Sequence, residues 1–319
     1  MKFKKLGLVA ALVVSAVALT ACGTDNKAQF IKDNAELAKL STAKIDFNTS
    51  DLKVEADGTA QAYVPIINAY LSEFKLSGKS MADGKNAQVN VDVSVAGQTI
   101  PLEVVMQGNN AYLRLDTLKP LAELYVQYSA ASKHFGDIDM TSIKGKYLDT
   151  HAISKKWGES SVSVEDFQEA MAKVLDSVDK TDFNQKGSAI TLNLSGAKIG
   201  KMLKVYIASV GSLTKDMVES LEDKAGDNDL EKEVPKIIKS MTITTDSKKK
   251  TSNVVINFTG KKLDNVGLDG KISYQVKYSD EKVTVKIPTK DNLIKSGDEL
   301  GKLLSESVQV DYSDFENEE

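Results

Sequence analysis

The sequence predicts an α+β protein: a large curved antiparallel sheet with one apolar face, and amphipathic helices packed over that face. Three observations carry this. Many stretches alternate apolar and polar residues with a period of two, as half-buried strands do. Others carry one apolar stripe at a period of 3.6. Short turn-rich links such as Ala82-Asp83-Gly84-Lys85, Ala96-Gly97-Gln98, Gly108-Asn109-Asn110 and Ser279-Asp280-Glu281 suit hairpins. Clean apolar-in, polar-out alternation marks an antiparallel sheet with one wet face, since parallel strands covered on both sides read as continuous apolar runs. A one-faced sheet and one-striped helices bury both surfaces only by packing as two layers.

The chain begins with a basic Met-Lys-Phe-Lys-Lys, an uncharged run from Leu6 to Ala21, and Cys22. Basic region, apolar region and small-residue cleavage zone in that order are a secretory signal peptide, and the run falls short of the ~20 residues of a membrane-spanning helix. The body therefore lies outside the cytoplasmic membrane. Leu19-Thr20-Ala21-Cys22-Gly23 resembles the lipobox of bacterial lipoproteins, whose cysteine is acylated with diacylglycerol and becomes the first residue of the mature chain. Cys22 is the only cysteine, so no disulfide within the chain competes for its sulfur. More than one acyl chain gives stable anchoring, each buried methylene adding about 0.8 kcal/mol. The expected organisation is a lipoprotein signal peptide (1–21), a lipidated tether (22–35), a single α+β domain (36–305) and an acidic tail (306–319).

Phe30, Ile31, Leu37 and Leu40 are spaced as a first helix. Strand alternation follows at Phe74/Leu76, Val89/Val91/Val93/Val95 and Ile100/Leu102/Val104. Leu118, Leu121, Leu124, Tyr125 and Tyr128 form a helical stripe with Pro120 near its start. Residues 131–162 show no clear period. Val164, Phe167, Met171, Val174, Leu175 and Val178 form a second stripe, opened by Ser163 with Asp166 three residues on, as in a capping box. Ile190/Leu192/Leu194 is a strand; Ile199, Met202, Leu203, Tyr206, Ile207 and Val210 form a helix, and Leu213, Met217, Val218 and Leu221 another. Strands return at Met241/Ile243, Val254/Ile256/Phe258, Ile272/Tyr274/Val276/Tyr278 and Val283/Val285/Ile287. Gly78-Lys79-Ser80-Met81 before one strand is loosely echoed by Ile238-Lys239-Ser240-Met241 before another; two quasi-equivalent halves is one reading of this, coincidence the other.

The chain holds 319 residues, 41% hydrophobic and 27% charged, enough for a real core. Loss of the leader removes Lys2, Lys4 and Lys5 and leaves 38 basic residues against 45 acidic. A mildly acidic chain with Arg114 as its one arginine has no guanidinium cluster for phosphates, so nucleic acid is not an expected partner. The excess of lysine over arginine is what AT-rich genomes give, as in many low-GC Gram-positive bacteria.

No constellation of residues supports catalysis. His134 and His151 belong to no metal spacing, and no metal or cofactor is expected. Ser-x-x-Lys, the nucleophile-and-base spacing of penicillin-recognising enzymes, recurs at serines 41, 50, 72, 195, 212, 247 and 279 among others, so no one copy stands out. Ser-Asp-Asn and Lys-Thr-Gly are missing from the sequence. Asp227, Asp229, Glu231 and Glu233 alternate as calcium loops do, without the glycine and glutamate such loops need. An enzyme is not expected.

Lipid anchor, one-sided sheet and overlying helices together resemble the LolA-like lipoprotein carriers and the LppX/LprG-type lipoproteins. Lys144-Gly145-Lys146-Tyr147-Leu148 is similar to a Gly-Lys-aromatic strand that recurs in such proteins. The resemblance implies a curved half-barrel that holds a lipid or other hydrophobic ligand between sheet and helices. From facing direction, Val104, Tyr206, Ile207, Tyr274 and Val276 are its expected wall. The alternative is a cell-surface interaction or envelope-structural lipoprotein without a small ligand. A cavity between sheet and helices separates the two.

Overall fold

The computed structural model describes residues 25–310 apart from residues 50, 85, 96, 109, 129–134, 139, 151–163, 211–229 and 264. The expected leader and Cys22, both histidines, the helix expected at 213–221 and the acidic tail from Asp311 lie outside the described residues.

The chain opens with α1 (Asn26–Leu37), capped by the Asp25 carboxylate, which accepts from the Ala28 amide at 2.6 Å. Next come β1 (Thr42–Asn48), β2 (Lys53–Ala56), α2 (Val64–Glu73), then β3 (Lys75–Ala82), β4 (Asn86–Val95), β5 (Gln98–Gln107) and β6 (Asn110–Arg114). After α3 (Leu118–Tyr128) follow the short β7 (Phe135–Ile138) and β8 (Tyr147–Asp149), α4 (Val164–Asp176), β9 (Phe183–Lys186), β10 (Ala189–Ser195) and α5 (Gly196–Val210). The last part holds α6 (Leu230–Ile237), β11 (Ile238–Asp246), β12 (Thr251–Phe258), β13 (Lys262–Leu263), β14 (Val266–Asp269), β15 (Lys271–Ser279), β16 (Leu293–Ile294), α7 (Gly297–Ser307) and β17 (Val308–Val310).

Twelve strands form one sheet in the order β16-β8-β6-β5-β4-β3-β1-β15-β12-β11-β10-β9, antiparallel except for the edge pair β16–β8. The α+β class and the antiparallel sheet match the sequence expectation, and the sheet is not closed into a barrel. Its register is set by one apolar row that crosses eight strands: Ile100, Val93, Leu76, Phe47, Tyr274, Val254, Ile243 and Leu192 face one another in turn. Slipping any of these strands by one residue would turn its apolar set to the wet face, so the row fixes the pairing. The hairpins of the sequence echo, β3–β4 and β11–β12, lie on opposite sides of β1 and β15 in this sheet.

Helices pack on the apolar face. Phe30 of α1, Ile199 of α5 and Val234 of α6 join Ile190, Leu192, Leu194, Ile243 and Val254 in the largest core cluster, so residues 26–35 belong to the packed body. Helices α5 and α6 touch closely because α5 offers glycines one turn apart. A Cβ on Gly200 would lie 2.3 Å from the Leu230 carbonyl oxygen, and one on Gly196 2.2 Å from that of Ile238.

Two segments differ from expectation. Thr42–Asn48, not anticipated as a strand, is the central β1. Val283–Ile287 alternates like a strand but makes no ladder. It runs extended across the polar face, where Val285 is buried with Val105 and Tyr112, and its amide donates to Asp83 Oδ2 at 2.9 Å. The alternation reports burial of one side, which a crossing strap achieves as well as a paired strand.

Candidate functional site: an apolar trough on one wing of the sheet

The apolar face is continuous, yet its two wings are covered differently. Under α1, α5 and α6, Leu192 and Val254 are 1% exposed and Ile243 4%. Along the same row Tyr274, Phe47, Leu76 and Val93 are half-buried, as are Val91, Leu102, Val104 and Leu113 beside them, whereas Ile100 at the row's end and Ser80, Ala87, Val89 and Met106 on the same face are buried. On this wing α3 lies against β5 and α2 meets β4. The inner positions of β3 are mostly small, with Gly78, Ser80 and Ala82 following Leu76 on that face. By side-chain size this strip of the face is shallower at β3 than at β4 and β1, and in that sense a trough. From β15 to β6 the half-buried positions span five inter-strand steps, about 24 Å.

The five residues expected at a ligand wall divide between regions. Val104 lies in the trough, against Ala87, Val89 and Met106. Tyr274 stands at its far border, packed against both neighbouring core clusters, with no hydrogen-bond partner for its hydroxyl among the described residues. Burial, with Tyr278 nearby, pushes that hydroxyl far above the ordinary tyrosine range. Val276 is packed under α1 with Leu37, Ala43, Ile45 and Tyr278. Tyr206 and Ile207 are half-buried on α5, over the filled wing. Val104 and Tyr274 are thus brought to one surface, four strands apart, and Val276 is not. Sequence reasoning did not single out Phe47, Leu76, Val91, Val93, Leu102 and Leu113 as site residues. Their alternation gave the face, but how deeply a helix covers a face is set by tertiary packing.

Behind the trough, on the polar face, the chain's one arginine braces the edge. Arg114 donates to Glu103 at 3.2 Å and to Asp116 at 2.6 Å, and the Tyr147 hydroxyl donates to Glu103. The other Asp116 oxygen accepts from the Gly145 amide at 2.7 Å, and Gly145 has φ of 71°, a left-handed turn that favours glycine. The Gly-Lys-Tyr stretch therefore ties β8 to β5 and β6. Burial and the Glu103 bond push the Tyr147 hydroxyl up to about 12.

A concave feature of about 500 Å³ lies at the ends of β11, β12 and β15. It is polar: Lys271 pairs with Asp51 at 3.1 Å, and Asn257 donates to Ser240 at 3.0 Å, with Lys239 and Asp269 also lining it. Its chemistry does not suit an acyl chain. Among the described residues no group of three His, Cys, Asp or Glu is placed to hold a metal ion, and no helix is long and apolar enough to cross a membrane. No family model matches the chain, and no curated protein matches it.

Proposed function

We propose that the chain is a lipoprotein anchored through Cys22 on the outer face of the cell membrane, and that it binds a lipid or similar hydrophobic ligand along the trough between β15 and β6. The observation that carries this reading is the unequal cover of one apolar face: Leu192 and Val254 are packed to 1% exposure on one wing, while on the other Tyr274, Phe47, Leu76, Val93, Val91, Leu102, Val104 and Leu113 are half-buried around the sealed Ser80, Ala87, Val89, Ile100 and Met106. Apolar surface left incompletely covered is a cost in water, at roughly 25 cal/mol per Å², and a ligand tail recovers it. Curvature of the sheet into an open half-barrel, as in LolA-like carriers, is part of the proposal. So are a non-enzymatic role and the absence of a cofactor.

The test is native mass spectrometry of the mature protein after incubation with envelope lipid extract, against a delipidated control. A discrete added mass that extracts as lipid, and is lost in Leu102→Asp, supports the reading. A bare mass throughout refutes it. That outcome would favour the second reading, a surface interaction lipoprotein without a small ligand, which the tight packing of the filled wing and the polar character of the Lys239–Asp269 cleft favour.

A further inference from the structure

Helix α2 presents an unusually apolar outer face for a helix on a body in water. Residues 58–72 form a run of fifteen without a charged side chain in a chain that is 27% charged. Three large side chains on it face solvent: Tyr63 is 63% exposed, Ile66 55% and Ile67 40%, and no residue of α2 is buried. Asn68, half-buried like Val64 and Leu71 one turn to either side, points inward. Asn68 donates to the Val54 carbonyl at 2.9 Å and accepts from the Val54 amide at 2.7 Å, while the Thr49 hydroxyl donates to the Leu71 carbonyl at 3.1 Å. These bonds fix the rotation of the helix about its axis, so Ile66 and Ile67 stay outside.

From the geometry we infer that α2 docks on the lipid bilayer and seats the mouth of the trough against it. This rests on the reading of the chain as a lipid-binding lipoprotein and names the partner of that site. Ten residues give a helix about 15 Å long, too short to span, so it lies in the plane of the interface. Tyrosine suits that depth, with an apolar ring and a polar tip. The helix runs directly into the trough: Phe74, just after α2, sets its ring edge-on to Phe47 at 6.1 Å, and Phe47 is in the half-buried row. A lipid leaving the bilayer beside α2 would meet apolar side chains all the way to Leu76 and Val93. The anchor supports the bilayer as occupant. Only two residues separate Cys22 from Asp25, the first described residue, so the tether reaches about 10 Å and keeps the body at the membrane.

The test uses the full acylated chain in vesicles of phosphatidylcholine and phosphatidylglycerol. Trp157→Phe removes the native fluorophore, and Tyr63→Trp, or in a second protein Ile66→Trp, places one on α2. With bilayer docking, emission shifts to the blue on reconstitution and is at least about twofold weaker when the acyl chains are brominated. Emission that stays water-like and unquenched at both positions overturns the inference. So does a blue shift that follows protein concentration without vesicles, which would mean that a second copy covers the helix. Lipid retention is read in the same samples. Quenching without retention leaves the docking standing and the trough refuted; retention without quenching does the reverse.

Discussion

On one wing of the sheet, Leu192, Ile243 and Val254 lie beneath three helices and are almost sealed from water; on the other, Val93, Leu76 and Phe47 continue the same row and are half-buried. Both wings have the same alternation, so period alone does not separate them. The difference lies in what sits above. The filled wing receives α1, α5 and α6, the last two drawn together at Gly196 and Gly200. The other has small residues along β3 and helices that reach it at β5 and β4. One wing is the larger core; the other combines a smaller core at Ala87, Val89 and Met106 with the half-buried positions where the proposed ligand would lie.

The comparison breaks most sharply under charge. Leu192→Asp buries a carboxylate without a partner and should cost about 4 kcal/mol or more, abolishing the cooperative thermal transition. Leu102→Asp, at a half-buried position, should keep the transition and cost under about 2 kcal/mol. An equal loss in both would erase the distinction between the wings. The second effect is functional: Leu102→Asp or Val91→Asp should lower retained lipid by about tenfold or more, whereas Ile207→Asp on α5 should lower it far less.

Smaller changes sharpen the picture. Arg114→Lys keeps the charge but loses the fork that joins Glu103 to Asp116, and should cost about 1 kcal/mol, with faster amide exchange in β6 and β8 than in β10. An exchange pattern identical to wild type would show that the brace contributes nothing. The smallest effect is alkaline. Burial holds Tyr278 up to about 12, above its ordinary value near 10. Below pH 10 both folded and unfolded states keep the proton and the contribution is whole. Between 10 and 12 the unfolded chain ionises first, so stability falls as pH rises. Tyr278→Phe should flatten that fall, as measured by urea unfolding at stepped pH.

Much of the fold was legible because period and face are local properties: Val89 to Val95 and Ile190 to Leu194 alternate, and the α4 and α5 stripes repeat every 3.6 residues. Thr42–Asn48 was overlooked because Ala43, Ile45 and Phe47 make a brief alternation directly after a helix. Val283–Ile287 misled because burial of alternate residues does not require a ladder partner. The proposed ligand surface was legible only in part. Val104 and Tyr274 lie on it through the face they share, whereas Val276 shares that face and is sealed by Leu37. Depth of cover depends on where α1 crosses the sheet, and no local pattern encodes that. The exposure of α2 had a signal in its long uncharged run, but the inward turn of Asn68 depends on Val54, fourteen residues away.

The most direct measurement is photocrosslinking with a fatty acid that carries a diazirine near its tail, followed by peptide mapping of the adducts on the intact protein. Adducts concentrated in β3 to β6 and around Phe47 and Tyr274, with β10 to β12 unlabelled, are the expected result. Labelling of the β10–β12 peptides and α5 instead, or no saturable labelling anywhere, would contradict the assignment of the half-buried wing as the ligand surface.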